Sequence, residues 1–282
     1  MTDPFARVKD AIADTLGALL PQQSDIAQPM VDAMRHAVLG GGKRMRPLMA
    51  CAACEAFSGS FKAALPAACG LEFIHAYSLI HDDLPAMDDD ELRHGQAATH
   101  VAFGEANAIL AGDSLHSLAF QALAEAPPLS HAAKLRCISL LSKAAGWPGM
   151  AGGQCLDIAA EGQQLTLARL EAMHSAKTGA LIEASLVIGA YCAEVEPDNP
   201  RLTLLRTFGQ RIGLAFQIVD DILDDTESSE TLGKPAGSDQ ALHKNTFPKL
   251  MGLAGAQQRA EALLAESLAL LKEADLATEL LT

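Results

Sequence analysis

The stretch TGALIEASLVIGAYCA, residues 178–193, carries a single charge, Glu183, in sixteen positions. A helix that is apolar around its whole circumference needs other helices on every side, so this segment calls for a large bundle with a buried central member. The rest of the chain agrees. Alanine and leucine dominate, aromatic residues are 4%, and runs of β-branched residues with period-two alternation are scarce, so the pattern is helical nearly throughout and the expected fold class is all-α. Helices are predicted over 4–19 (ended by Pro21), 26–39 (ended by Gly40-Gly41-Gly42), 46–57 (ended by Ser58-Gly59), 63–84, 99–125, 131–145, 148–160, 167–192, 200–225, 241–252 and 256–277. Ser130 and Thr166 stand where N-caps belong. With 282 residues, 49% of them hydrophobic, one large domain or two smaller ones would both fit, and no linker or low-complexity segment divides the chain.

Lys plus Arg total 21 against 35 Asp plus Glu, a formal charge of −14, which disfavours nucleic acid or an anionic membrane as the main partner. An anionic substrate would need a metal or a local basic cluster. The first residues, MTDPFARVKDAIADTLGALLPQQ, lack the basic end and apolar stretch of a signal peptide, and the uncharged runs at 144–156 and 184–193 are short of a membrane span. A cytoplasmic protein with no membrane span is expected. Its six cysteines, at 51, 54, 69, 137, 155 and 192, read as small buried thiols, because no second pair or paired histidine answers the Cys51-x-x-Cys54 spacing.

Two acidic clusters follow apolar helical runs. In SLIHDDLPAMDDDELRHG (78–95) Asp82 and Asp83 close a helix that Pro85 prevents from continuing, so an irregular turn can return Asp88 toward Asp82. In FQIVDDILDDTE, Asp220 and Asp224 are spaced i, i+4, as are Asp221 and Asp225, so each pair lines up on one face. Stacked carboxylates repel, and something positive should sit between them; carboxylates on two facing helices suit Mg²⁺ completed by water and phosphate oxygens. A third signal is GGGKRMRP (40–47), which puts Lys43, Arg44 and Arg46 behind three glycines at a helix start, where N–H groups and basic side chains can hold a phosphate together. It is not a Walker sequence, since the glycine spacing and the Ser/Thr after Lys are absent.

These motifs, with HAYSLIHDDLPAMDDDELRHG, KTGALIEAS and LGKPAGSDQALHKNTFP in the same order, resemble the all-trans polyprenyl (isoprenyl) diphosphate synthases, and most of all the bacterial farnesyl diphosphate synthases. The resemblance covers about residues 38–250. It implies one domain over 1–282, an isoprenoid synthase helical bundle with a deep central cavity, usually a homodimer. It further implies Mg²⁺, three ions per site, held by Asp82, Asp83 and Asp88 of the first motif and Asp220, Asp221 and Asp224 of the second. Arg93, Lys177, Lys234 and Lys244 match residues that grip an allylic diphosphate; Lys43, Arg46 and His75 match those that hold isopentenyl diphosphate. Thr178 and Gln217 match positions facing the reacting carbocation.

The reaction so implied condenses isopentenyl diphosphate with dimethylallyl and geranyl diphosphate to give the fifteen-carbon farnesyl diphosphate. Ionising the allylic C1–O bond places negative charge on the leaving group, which metals and lysines stabilise. The growing tail runs back along the first Asp-rich helix, so small Ser78 leaves room and bulky Tyr77 closes the floor. Gln154 and Asp157 in GGQCLD resemble a segment beside the cavity, and His36, His100, His116, His131 and His174 read as ordinary. The family usually has two arginines after the first motif, whereas the second here is His94, an imidazole mostly neutral at pH 7.5, so binding of isopentenyl diphosphate should be weaker or pH-dependent. Many relatives also end in a short basic tail, where this chain ends DLATELLT.

Alternatives are a synthase stopping at ten carbons or extending to twenty, and a non-catalytic subunit of a hetero-oligomeric synthase. A terpene cyclase has no use for Lys43, Arg46 and His75, and an HD-type phosphohydrolase does not explain the second acidic motif.

Overall fold

The computed structural model describes residues 4–127, 129–226 and 244–282. At its centre is α10 (Ala180–Cys192), whose side chains are buried apart from Ala180 and Glu183, as its composition requires. Around it pack α3 (Met45–Ala56), α4 (Phe61–Asp82), α7 (His131–Ala145) and α11 (Pro200–Thr226). Gly189 makes the α3 contact possible, since a Cβ there would lie 2.1 Å from the Ala50 carbonyl oxygen. Outside this shell α1 (Pro4–Leu19) lays Val8, Ile12 and Leu16, one turn apart, onto the core, and α2 (Gln28–Leu39) and α6 (Glu105–Ala124) flank α4. A second apolar cluster, including Leu170, Met173, Ile218, Phe247 and Leu263, joins α9 (Leu167–His174), α11, α12 (Phe247–Met251) and α13 (Leu253–Glu273).

Ser130 accepts a hydrogen bond from the Ala133 N–H at 3.1 Å and Thr166 one from the Arg169 N–H at 3.4 Å, so both act as the N-caps their positions suggest. Four features differ from the sequence expectation, one being the helix expected over 241–252, which among the described residues begins at Phe247 with 244–246 non-helical. The helix expected over 99–125 is two, α5 (Thr99–Phe103) and α6, because Gly104 at φ 83° turns the chain between them. The helix expected over 167–192 is interrupted by a π-helical turn, Ser175–Gly179, between α9 and α10. A small antiparallel hairpin, β1 (Leu92–Arg93) with β2 (Gln96–Ala97), follows the first acidic motif.

The π turn is clamped from two sides. A Cβ at Gly153, on α8 (Met150–Ala159), would lie 2.2 Å from the Lys177 nitrogen, and one at Gly213, on α11, would lie 2.8 Å from the Gly179 Cα. Insertions of this kind open a helix wall and re-aim side chains, and here the re-aimed residues are Lys177 and Thr178. All cysteines but Cys155 are buried, and burial pushes the Cys51 and Cys54 thiols up to about 12, which keeps them inert. By length and composition α4 could cross a membrane; in this fold it is packed against α1, α3 and α6.

Candidate active site

The end of α4 is built by Pro85. Lacking an N–H, it stops the helix, and the chain doubles back so that the Asp88 N–H donates to the Asp82 carbonyl at 2.9 Å and the Met87 N–H to the Leu84 carbonyl at 2.8 Å. Asp88 is thereby returned beside Asp82. Across the bundle α11 presents Asp220 and Asp221, and all four carboxylates line one cavity of about 690 Å³.

Two expected metal-face residues lie elsewhere. Asp83 is 2% exposed and its Oδ1 accepts from Arg93 Nε at 2.9 Å and again from the Arg93 terminal nitrogen; it faces a pocket of about 30 Å³ beside α2, outside the large cavity. Consecutive side chains on a helix diverge by about 100°, so Asp82 and Asp83 cannot both face inward. Asp224 is buried one turn beyond Asp220 and is not part of the cavity wall. Lys234 lies outside the described residues.

Basic groups enter the same cavity from separate segments. Lys177, on the π turn, pairs with Asp157 of α8 at 2.5 Å, and Lys244 pairs with Asp88 at 3.2 Å. Arg93, held by the hairpin, also reaches Asp90 at 3.1 Å; burial works against its charge, but Asp83 and Asp90 outweigh it and raise its pKa. Burial drives Asp82 the other way for an acid, up to about 6, with Asp88 adding repulsion and Lys177 opposing it. Among the described residues no three carboxylate, imidazole or thiol groups converge as a ready metal cage. Mg²⁺ does not require one, because it keeps waters and takes phosphate oxygens alongside one or two carboxylates. Hard carboxylate oxygens on opposite walls, with burial and Asp88 working against the ionised form of Asp82, fit that ion.

A second anion subsite forms at the N-terminus of α3. Gly41 and Gly42 take φ values of 137° and 106°, which other residues rarely adopt, and their backbone leads Lys43 and Arg46 to the cavity beside His75 and His94. Arg44 lines the same cavity but pairs there with the buried Glu72 at 2.5 Å. Burial lowers the pKa of Arg46, and burial together with Arg46, His94 and Arg93 holds His75 well below the ordinary imidazole value. The Arg46 Nε has no hydrogen-bond partner among the described residues. Lys43, Arg44 and Arg46 outnumber the one acid beside them, Glu72, which suits the subsite to an anion.

Arg46, His75, Leu79, Asp82, Lys177 and Thr178 line both this cavity and an adjoining one of about 480 Å³ whose walls include Met87, Met150 and Ile158. Ser78 and Tyr77 face this apolar chamber. The Tyr77 ring stands edge-on to His116 at 5.0 Å and to His81 at 5.7 Å, and His116 stands edge-on to Phe120 at 5.2 Å, so an aromatic cluster spanning α4 and α6 backs the wall at Tyr77. Thr178 Oγ1 donates to Gln217 Oε1 at 2.9 Å, and Gln217 Nε2 donates to Asp221 Oδ1 at 3.2 Å, which fixes the orientation of all three.

Sequence reasoning placed Asp157 only beside the cavity, read His174 as ordinary and passed over Asn245. Asp157 holds Lys177; Asn245 ties its segment to the α8–α9 connection through the Leu165 N–H at 3.0 Å and the Gln163 carbonyl at 2.9 Å; and His174, 6% exposed, lines the large cavity against Asp221. The spacing of His174, three residues before Lys177, was the available signal, but a lone helix histidine carries no direction until the π turn is known.

Comparison with known proteins agrees with this geometry. Residues 27–279 match the polyprenyl synthetase family. A farnesyl diphosphate synthase of Escherichia coli is 47% identical over 247 residues, 87% of this chain and 82% of the relative. A chloroplastic geranylgeranyl pyrophosphate synthase of Catharanthus roseus is 44% identical over 86% of this chain and 68% of its own length. A crystal structure of a Helicobacter pylori geranyltransferase with magnesium and isoprenyl diphosphate superposes with a TM-score of 0.87 at 33% identity, covering 100% of this chain and 95% of that one.

Proposed function

The chain belongs to the polyprenyl synthetase family as an all-trans prenyl diphosphate synthase, and from that premise we propose that it adds isopentenyl diphosphate to dimethylallyl and then geranyl diphosphate, releasing farnesyl diphosphate. The observation that carries this reading is the pair of adjoining cavities: a charged one with carboxylates from two helices and basic residues from separate segments, beside an apolar one whose wall includes Tyr77. The enzyme is Mg²⁺-dependent, and Asp82, Asp88, Asp220 and Asp221 are the side chains placed to hold the metal, three ions per site with substrate bound. Bound Mg²⁺ supplies charge stabilisation on the departing diphosphate.

The chain's own residues do the remainder. Lys177, Lys244 and Arg93 grip the allylic diphosphate, Lys177 exchanging Asp157 and Lys244 exchanging Asp88 for phosphate oxygens. Lys43, Arg46 and His75 hold isopentenyl diphosphate. The Lys177 carbonyl, Thr178 and Gln217 offer weak electron-rich groups to the allylic cation, and the apolar wall of Leu79, Met87 and Met150 excludes water that would quench it. The double bond of isopentenyl diphosphate attacks C1, and the proton lost from the new product passes to the leaving diphosphate. The protein is read as one domain, a cytoplasmic homodimer.

The test is incubation of purified protein with isopentenyl diphosphate and dimethylallyl or geranyl diphosphate, with and without Mg²⁺, followed by product chain-length analysis. Fifteen-carbon product only with Mg²⁺ supports the reading. Ten- or twenty-carbon product, cyclised hydrocarbon, free phosphate alone or no turnover rejects it.

Because burial raises Asp82 to about 6, metal binding must expel a proton in acid. The ionised fraction of such a group falls about tenfold between pH 7 and 5, so the Mg²⁺ concentration for half-maximal diphosphate binding should rise about tenfold over that interval. Calorimetric titration of Mg²⁺ with inorganic diphosphate at the two pH values checks this.

At His94 the expectation has the opposite sign. Burial, then Arg93 and Arg44, lower its pKa, so it is neutral at pH 7.5 and gains charge only as pH falls. His94→Arg should lower the KM for isopentenyl diphosphate about tenfold at pH 7.5 and flatten its pH dependence, leaving the allylic KM unchanged. Initial rates with each substrate varied in turn decide it.

A further inference from the structure

His174 is a buried side chain of the charged cavity whose polar atoms the packing of the described residues leaves unexplained. It closes α9 immediately before the π turn, is 6% exposed, and its ring stacks on Phe247 at 5.6 Å with an interplanar angle of 28°. Among the described residues neither ring nitrogen has a hydrogen-bond partner. A buried donor and acceptor left open is costly, and the cost is tolerated in native proteins where a second state satisfies the group. His174 Nε2 lies 4.0 Å from Asp221 Oδ2, beyond a hydrogen bond but within a small side-chain movement of one.

Asp221 is already oriented on two sides. Its Oδ1 accepts from Gln217 Nε2 at 3.2 Å and its Oδ2 from the Phe247 N–H at 2.9 Å. Gln217 is tied to Thr178, and Phe247 is the ring on which His174 rests, so one connected set of contacts runs from the π turn through α11 to α12 and back to His174. Carboxylates that ligate metals are themselves held by such outer donors, whose loss costs about 10–100-fold in metal affinity.

We propose that His174 is a positioning residue of the diphosphate-binding state, supplying from its neutral ring the N–H that closes on Asp221 Oδ2 when Mg²⁺ and diphosphate draw that carboxylate into the cavity. The inference deepens the reading of the site given above and rests on it. The ring acts as a fixed donor and Phe247 as its backing plate.

The test uses the full chain and inorganic diphosphate as probe. His174→Phe keeps a ring to stack on Phe247 and removes the donor; His174→Asn keeps a donor and removes the ring. Calorimetry with Mg²⁺ present should show diphosphate binding about tenfold weaker in His174→Phe and within about threefold of wild type in His174→Asn. Isopentenyl diphosphate binding without metal should be equal in all three proteins, and the His174→Phe melting temperature without ligand should match or exceed wild type. Wild-type affinity in His174→Phe, or equal loss in both variants, overturns the proposal while leaving the enzyme assignment standing. Wild-type protein that binds diphosphate equally with and without Mg²⁺ overturns both.

Discussion

Asp82→Asn is expected to lower kcat for condensation by about 10³–10⁵-fold while making the ligand-free protein more stable. The activity loss follows from position. Among the described acids Asp82 alone lines both cavities, where the charged chamber meets the apolar one. Removing its charge takes away metal-borne stabilisation of the developing diphosphate, an effect that exists in the transition state more than in the ground state. The stability gain follows from burial. With a folded pKa raised to about 6 against an unfolded value of about 3.9, the folded protein takes up a proton more readily than the unfolded chain. Stability from this group is therefore present below the unfolded pKa and lost as pH rises through about 6, so at pH 7.5 the ionised carboxylate is a net cost. Discounted for solvent relaxation, relief of that cost is about 1–2 kcal/mol, a rise in melting temperature of about 2–6 °C for a chain of this size. Single-turnover kinetics and a thermal melt without ligand read the two effects separately, and a variant that is inactive because it is unfolded would fail the second measurement.

Tyr77→Ala should move the main product from fifteen carbons to twenty or more. The phenol lines the apolar chamber, and behind it stand His116 and Phe120 of α6, so on the proposed reading its removal lets a longer tail reach them. Since His116 braces Tyr77 edge-on, Tyr77→Ala with His116→Ala should lengthen product beyond either single change, whereas two independent obstacles would give additive shifts. Chain-length analysis of the dephosphorylated products measures this, and a product distribution unchanged by Tyr77→Ala would remove the floor from that residue. Neither position touches the diphosphates, so kcat for the first addition should hold within about threefold.

Some of this was legible without coordinates because it is local. The bare apolar circumference of 178–193 left only a central place in a bundle, and α10 occupies it. Pro85 had to stop its helix, and the glycines before Lys43 had to take backbone angles other residues avoid, so the turn that returns Asp88 and the loop that presents Lys43 and Arg46 were both implicit in residue type. Spacing along a helix also placed Tyr77 and Ser78 below Asp82.

What the sequence could not assign was direction among neighbours of the same type. Asp82 and Asp83 differ in nothing but helical phase, and only the packing of α4 against α2 and the hairpin sends one to the cavity and the other to Arg93. Lys43, Arg44 and Arg46 looked alike until Glu72 claimed the middle one. The π turn needed Gly153 and Gly213 from two distant helices to close on it, and without it neither the aim of Lys177 nor the place of His174 could be read. Amino-acid type and spacing determined which groups this protein brings to its chemistry. The tertiary structure decided which of them face each other, because that choice depends on close contacts between segments far apart in the chain.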